Sequence, residues 1–567
     1  STINGYLWSY FIIFILIGAG LFFTMTTNFV QIRMIKEMIR LVINGAGSST
    51  EKNHVSSFQA FCVSTASRVG VGNIAGIAIA VVLGGPGAIF WMWVIALIGA
   101  ATGFIESTLA QIYKEPVAKG GFYGGPAYYI RYGLNNKALS ILFAILISIT
   151  YGWIYNSVQA NTLAASLQVF NFDVSYTGAV VAILLGLIIF GGIHRVAKAS
   201  EIIVPIMAVL YIATALFVVI MNITQFPHVI YTIITSAFEP VAAGGGLLGA
   251  TVMNGIKRGL FSNEAGEGSV PNAAATAAVN HPVEQGLVQA FGVFLDTFII
   301  CTASAFIVLM VGDYSTTGLT GVALVQHNLE QQLGSWAPTA VAIFIVMFSF
   351  SSLIGNYYYG EINISHLTEK RFYLHLFRIG VIIMTFVGSI ASLDLVWNLA
   401  DLFMAFLVLT NISSIVRMGR TAGLALDDYI KQRKAGIATP VFNRSVLNHS
   451  YGIVWWGDGQ TTDSSVPPTP VEPLTCLLLT RDYFVFYRIL YKSIHLYCKN
   501  YDLHLTPRVT IITANIYILY TFQALKTIEY SYKIIKGIMY TTSNTTVCVK
   551  LAKFNLLLYT GGYYEWL

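Results

Sequence analysis

The sequence predicts an all-α polytopic membrane protein with about eleven transmembrane helices. Three observations predict it. The 567 residues are 56% hydrophobic and only 10% charged, whereas an ordinary soluble domain is about 25% charged. Apolar runs of roughly 20 residues, enough to cross the hydrocarbon core, recur along most of the chain. The Lys and Arg residues fall almost wholly into alternate connections between those runs, which sets an orientation.

The runs lie at about 7–25, 58–84, 88–112, 138–168, 174–192, 198–222, 231–253, 285–312, 337–360, 372–391 and 394–416. The first has no basic segment or small-residue cleavage site before it and reads as a retained span. With the N-terminus outside, the inner connections hold twenty basic residues, among them Arg33, Lys36, Lys114, Arg131, Lys257, Arg258, Lys370, Arg417 and Lys431, and the outer ones hold none. The expected topology is N-out and C-in. The net charge of +6 therefore belongs to membrane-flanking loops and does not point to nucleic acid. Arg68 breaks the pattern inside the second span, where a charge costs about 2.5–3.5 kcal/mol on insertion scales; it either faces a protein-lined space or snorkels to the interface. The five cysteines (62, 301, 476, 498 and 548) show no metal-type spacing. Beyond residue 440 the text changes: residues 441–567 carry 14 of the 32 tyrosines but 6 of the 50 glycines. That tail reads as a cytoplasmic extension or as a non-native, read-through or frame-shifted run.

The organisation expected is an extra N-terminal helix (1–30), a first five-helix repeat (56–225), a second (226–420) and a tail (421–567) that is atypical from 443. It rests on two interrupted spans. In the second span, SRVGVGNIAG puts Gly70, Gly72 and the polar Asn73 at mid-membrane depth. The spacing G-x-G-x-x-x-G, with no preceding strand, excludes a dinucleotide loop. Gly72 and Gly76 fit a helix-packing face, but an unwound stretch lining a cavity accounts for more of these residues. Five spans later, the seventh carries Glu239, Pro240 and Gly244–Gly246, and a second break there completes an inverted 5+5 repeat. Ser351 and Ser352 in the ninth span offer two hydroxyls to a hard cation. Ser349 reads as a helix-bonded serine. Tyr151, Asn156, Gln159 and Asn161 lie close together in the fourth span, and Asp296, Thr297 and Glu106 are buried polar candidates. H-E-x-x-H, G-x-S-x-G and G-x-x-x-x-G-K-[ST] are absent and His281 stands alone in a loop, so neither an intramembrane enzyme nor an ATP-driven pump is expected.

The stretches GNIAGIAIAVVLGGPGAIFWMWV, RGLFSNEAGEGSVPNAAATAAVNHPVEQGLVQAFGVFLDTFIICT and YYYGE closely resemble the alanine/glycine:cation (sodium) symporter family, over about Leu7 to Phe442. The resemblance implies a leucine-transporter-type fold of ten core spans plus one. It also implies sodium-coupled uptake of a small neutral amino acid, alanine or glycine, by alternating access across a cell membrane, plasma or inner. No organic cofactor and no obligatory protein partner are called for. Carried over, Ala66 and Val69 would lend carbonyls to sodium, completed by Ser351 and Ser352, and Asn73 matches an asparagine that contacts a second sodium in related folds. Gly70, Val71 and Gly72 would meet the substrate carboxylate, with Asn73, Gln159, Gly244 and Gly245 also at the substrate. The family usually reads GTGN where this chain has GVGN, so Val71 lacks a hydroxyl; Asn356 stands where tryptophan is common, and Glu239 where a smaller residue is. Proton coupling through Glu239 or Asp296 is the rival expectation.

Overall fold

The computed structural model describes residues 2–45, 54–117, 120–190, 193–238, 246–310, 314–447 and 451–457. They belong to a compact unit, Ser1–Asp463. Among them eight helices are long and apolar enough to cross a membrane, or nine when the bent pair Ser57–Arg68 and Gly72–Gly84 counts as one span. In chain order the helices are α1 (Ile3–Thr26), α2 (Ile35–Gly45), α3 (Ser57–Arg68), α4 (Gly72–Gly84), α5 (Gly87–Ile112), α6 (Pro126–Gly133), α7 (Lys137–Phe170), α8 (Val174–Ile189) and α9 (Ile193–Met221). Then follow α10 (Phe226–Ser236), α11 (Gly246–Asn263), α12 (Val270–Ala274), α13 (Pro282–Leu309), α14 (Gly321–Leu333), α15 (Ala337–Leu367), α16 (Arg371–Ile390) and α17 (Leu393–Lys434).

Local chemistry explains the helix starts. Ser56 and Gln59 form a reciprocal capping box ahead of α3. Asn136 caps α7, Asp173 caps α8 and Ser392 caps α17, each side chain accepting an orphan backbone N–H. Close helix crossings fall at glycine: a Cβ at Gly255 or Gly259 of α11 would strike α5 at Ala88 and Met92, and one at Gly286 of α13 would strike Thr108, as expected where backbones pack closely within a bilayer. The outward side chains are large and apolar, among them Phe14, Leu187, Val209 and Ile383, whereas Ser67, Asn73, Glu106, Gln159, Glu264 and Asp296 are buried inside. That arrangement suits a lipid solvent around a polar interior.

The first break stands where the sequence places it. α3 ends at Arg68, Val69 leaves helical geometry (φ −83°, ψ 83°), and α4 resumes with a π turn over Gly72–Gly76 after a bend of 51°. Arg68 does not snorkel: it is 2% exposed and donates to the Gln289 carbonyl at 3.2 Å.

The seventh span departs from expectation. Glu239, Pro240, Gly244 and Gly245 lie outside the described residues. The apolar run at 231–253 is divided between α10 and α11, and α11 continues through Lys257 and Arg258 to Asn263. These two basic residues are therefore not in a loop. Both are buried, Arg258 ion-paired with Asp401 of α17 and Lys257 3.4 Å from the same carboxylate. A break within the described residues comes at 264–269: Glu264, Gly266 and Gly268 take left-handed φ of 58°, 98° and 79°, then α12 begins.

His281 is not isolated either. It caps α13, lies 3.3 Å from Asp428 and packs edge-on against Tyr429 and Phe442. α17 runs well past the expected end of the last span, to Lys434. The chain then returns over the end of the bundle. Phe442 N–H bonds the Asn280 carbonyl, Trp456 donates to the Gln111 carbonyl at 2.9 Å, and Trp455 packs on Phe122. Lys114, bonded to the Ala277 carbonyl, sits under the Phe122 and Trp456 rings. Beyond Phe442, the described Trp455 and Trp456 thus pack on the body.

Candidate substrate and cation site

The two breaks, α7 and α15 meet in one buried cluster. Ser352 of α15 donates its hydroxyl to the Ala66 carbonyl at 2.9 Å, with the Val69 carbonyl at 3.5 Å. The helix break frees these carbonyls from regular i→i+4 pairing, and a hydroxyl and two carbonyls are ligands that suit a hard monovalent cation. Ser351 points elsewhere, about 100° round the helix. Its hydroxyl donates to the Phe348 carbonyl at 2.9 Å and lies beside the Met207 sulfur. Of the two serines only Ser352 faces the break.

Gly70 and Gly72 need their missing side chains. A Cβ at Gly70 would collide with Ser352 Oγ and the Gln159 amide, and one at Gly72 would strike the Phe261 ring. Gln159 of α7 accepts the Val71 N–H at 3.0 Å, so the sequence-predicted Gly70, Val71, Gly72 and Gln159 do converge. Asn73 faces another way. Its Oδ1 accepts from Gly70 N–H at 2.9 Å, and its amide donates to Asp296 Oδ1 at 2.6 Å and Cys301 at 3.3 Å. Asp296 in turn takes Ser262 and Thr297 on its other oxygen. Asn156 and Asn161 are spent on backbone carbonyls of α7 and of the α16 end.

Ser67, Tyr155, Glu264 and Glu267 escape a reading of the sequence. Glu264 accepts from Ser67 at 2.7 Å and also from Ser269. Ser67 touches Asn356 as well, at 2.7 Å. Glu267 accepts from Tyr151 at 2.7 Å and Tyr155 at 3.2 Å. Glu106 accepts Gly266 N–H and the Asn411 amide, holding the second break to α5 and α17. The signal was the spacing: Tyr151, Tyr155 and Gln159 recur every four residues on α7, as Ser352, Asn356 and Tyr359 recur at helical spacing on α15, and the run NEAGEG carries two carboxylates and two glycines. On one flank the Tyr155, Phe261 and Trp397 rings pack tilted by 46° and 50°, at centroid distances of 4.6 and 4.7 Å. The Arg258 guanidinium covers Trp397 at 4.4 Å. Ala66, Val69, Val71, Asn73, Gln159 and Ser352 are all buried, so the cluster is closed to solvent.

Residues 1–444 match the sodium:alanine symporter family. The chain belongs to that family. Among its relatives, the "Probable sodium/glutamine symporter GlnT" of Bacillus subtilis is 51% identical over 454 residues, 80% of this chain and 94% of that protein. The "Amino-acid carrier protein AlsT" of the same organism is 50% identical over 460 residues, 80% and 96% of the two chains. The "Sodium/alanine symporter AgcS" of Methanococcus maripaludis is 38% identical over 424 residues, 73% and 93%. The sodium:alanine symporter family is one of transporters, and the apolar helices make this member a multi-pass membrane protein.

Proposed function

We infer that this sodium:alanine symporter family member couples sodium to the uptake of a small neutral amino acid, alanine, glycine or glutamine, by alternating access across a cell membrane. The observation that carries the reading is Ser352 set against the Ala66 and Val69 carbonyls at a helix break, beside the Gly70–Val71–Gly72 turn and Gln159. Ala66, Val69 and Ser352 would hold the ion, and a sodium ion there supplies positive charge next to the place where a substrate carboxylate binds. Gly70, Val71 and Gly72 offer the carboxylate backbone N–H groups, and Gln159, now on Val71, is displaced to contact the substrate. Asn73, tied to Asp296, holds the turn from behind through the Gly70 N–H, and Ser351, bonded to its own helix, takes no part. The 264–269 break faces the substrate from the second repeat, and Gly244 and Gly245, also expected at the substrate, lie outside the described residues.

The organisation we propose is eleven spans, N-out and C-in, in a leucine-transporter-type pair of five-helix repeats (56–225 and 226–420) behind the N-terminal helix. The bent pair, the shorter α8 and the broken α11–α12 bring the eight long helices to that count. The two described breaks, one in the opening span of each repeat, support this, and the break expected at Gly244–Gly246 falls on residues of which Gly244 and Gly245 lie outside the described ones. Similarity to both GlnT and AgcS leaves alanine and glutamine as rival cargoes, and Val71 and Asn356 stand where the choice is made. Uptake of labelled alanine, glycine and glutamine into proteoliposomes, with sodium, lithium or potassium outside, tests the reading. Saturable uptake that requires sodium is expected; uptake indifferent to sodium and driven by pH alone overturns it.

A further inference from the structure

Four carboxylates are buried where the two breaks cross: Glu106, Glu264, Glu267 and Asp296. Three of them have a hydrogen-bond donor on each oxygen. Glu267 differs. Both phenols, Tyr151 and Tyr155, donate to its Oε2, while its buried Oε1 has no hydrogen-bond partner. The fully buried Tyr359 ring lies 5.3 Å from that of Tyr151. The charges around Glu267 add to the imbalance. The buried anions Glu264 and Glu106 weigh on Glu267.

A carboxylate anion with one bare oxygen, away from water and beside like charges, is the costliest state such a group can take. A proton on Oε1 removes the charge and leaves Oε2 to accept both phenols. We propose that Glu267 is a proton-carrying site of the transporter, additional to the sodium site and resting on the symport reading above. An O–H bond forms at Oε1 with a proton from the water on one side. The same bond breaks toward water on the other side once the 264–269 segment has changed its exposure. No electrons move, and the net transfer is a proton in the direction of the amino acid. The titratable and charged groups facing this site are Glu264 on the same break, Glu106 on α5, Tyr151 and Tyr155 on α7, Tyr359 on α15 and, through Glu264, Arg68 on α3.

The test uses the full-length protein in sealed liposomes with a pH-reporting dye inside, an inward sodium gradient and the membrane potential clamped by potassium and valinomycin. Labelled L-alanine or L-glutamine added outside reports symport, and the dye reports protons. The native protein is expected to acidify the lumen in step with uptake, and its uptake should fall as external pH rises. In Glu267→Gln, whatever sodium-driven uptake remains should carry no protons and have a flat pH profile. In Tyr151→Phe, which loses a donor that steadies the anion, the fall should move to more alkaline pH. Sodium-driven uptake without acidification in the native protein overturns the proposal and leaves the symport reading intact. So does a Glu267→Gln protein that acidifies like the native one, or, if that variant fails to insert, a Tyr151→Phe profile that does not move. Absence of sodium-driven uptake of either substrate instead removes the symport reading, and this proposal with it.

Discussion

Ser351 and Ser352 are adjacent and chemically identical, yet they meet different partners. Ser352 reaches across to another helix, and Ser351 bonds its own preceding turn. The two substitutions should therefore separate. Ser352→Ala is expected to raise the sodium concentration for half-maximal uptake roughly tenfold, about 1.4 kcal/mol, while Ser351→Ala stays within ~0.5 kcal/mol. Sodium titrations of uptake read both, and equal shifts would show that the ion is not held at Ser352. From the sequence the two hydroxyls were equivalent, because a pair of serines does not reveal which of them the helix turns toward the break. Gly70 was legible for the opposite reason: a glycine beside Asn73 at mid-span has few explanations other than an opened backbone.

At the scale of elements, the second break depends on residues that tolerate left-handed backbone. Gly268 has φ 79°, and a Cβ there would press on Asn411, Pro126 and Phe143 at 2.8–2.9 Å; Gly85 has φ 72° with open space around it. Gly268→Ala should thus cost about 1–3 kcal/mol for strain and a similar amount for overpacking, whereas Gly85→Ala bears the strain alone. Thermal unfolding in detergent should show the larger drop for Gly268→Ala; matching drops would mean that the packing around the break is not tight. This break was not legible. Its segment is polar and doubly acidic, like an aqueous loop, while the apolar run upstream ends before it. Lys257 and Arg258 strengthened that misreading, since only Asp401, far along the chain, makes their burial tolerable. The first break, placed inside a single expected span and carrying Gly70, Gly72 and Asn73, had no such disguise.

For the whole molecule, the structure sets the point at which the chain can be shortened. Ending the chain after residue 443 removes Trp456 and its bond to the Gln111 carbonyl, a loss of about 3 kcal/mol by comparison with large-to-small changes at buried aromatics. Ending it after residue 457 spares that contact. The longer form is expected to keep native uptake and unfolding temperature and the shorter one to lose stability; indistinguishable forms would show the returning segment to be dispensable. The membrane class, the alternation of charge and the family resemblance were all plain in the composition and motifs, because they are averages over many residues. The returning segment was not, because its anchors are single tryptophans in an otherwise unremarkable run.

α17 has 42 residues, about 63 Å at 1.5 Å per residue, and so reaches roughly twice the ~30 Å hydrocarbon thickness. It acts as a mast stepped in the membrane beside Asp401 and stayed at its far end by the rigging of Phe442 on Asn280 and Trp456 on Gln111. A mast stayed in this way cannot lean alone. Any tilt that opens the cluster at its foot has to slacken those lines or drag α5 and the start of α13 along with it.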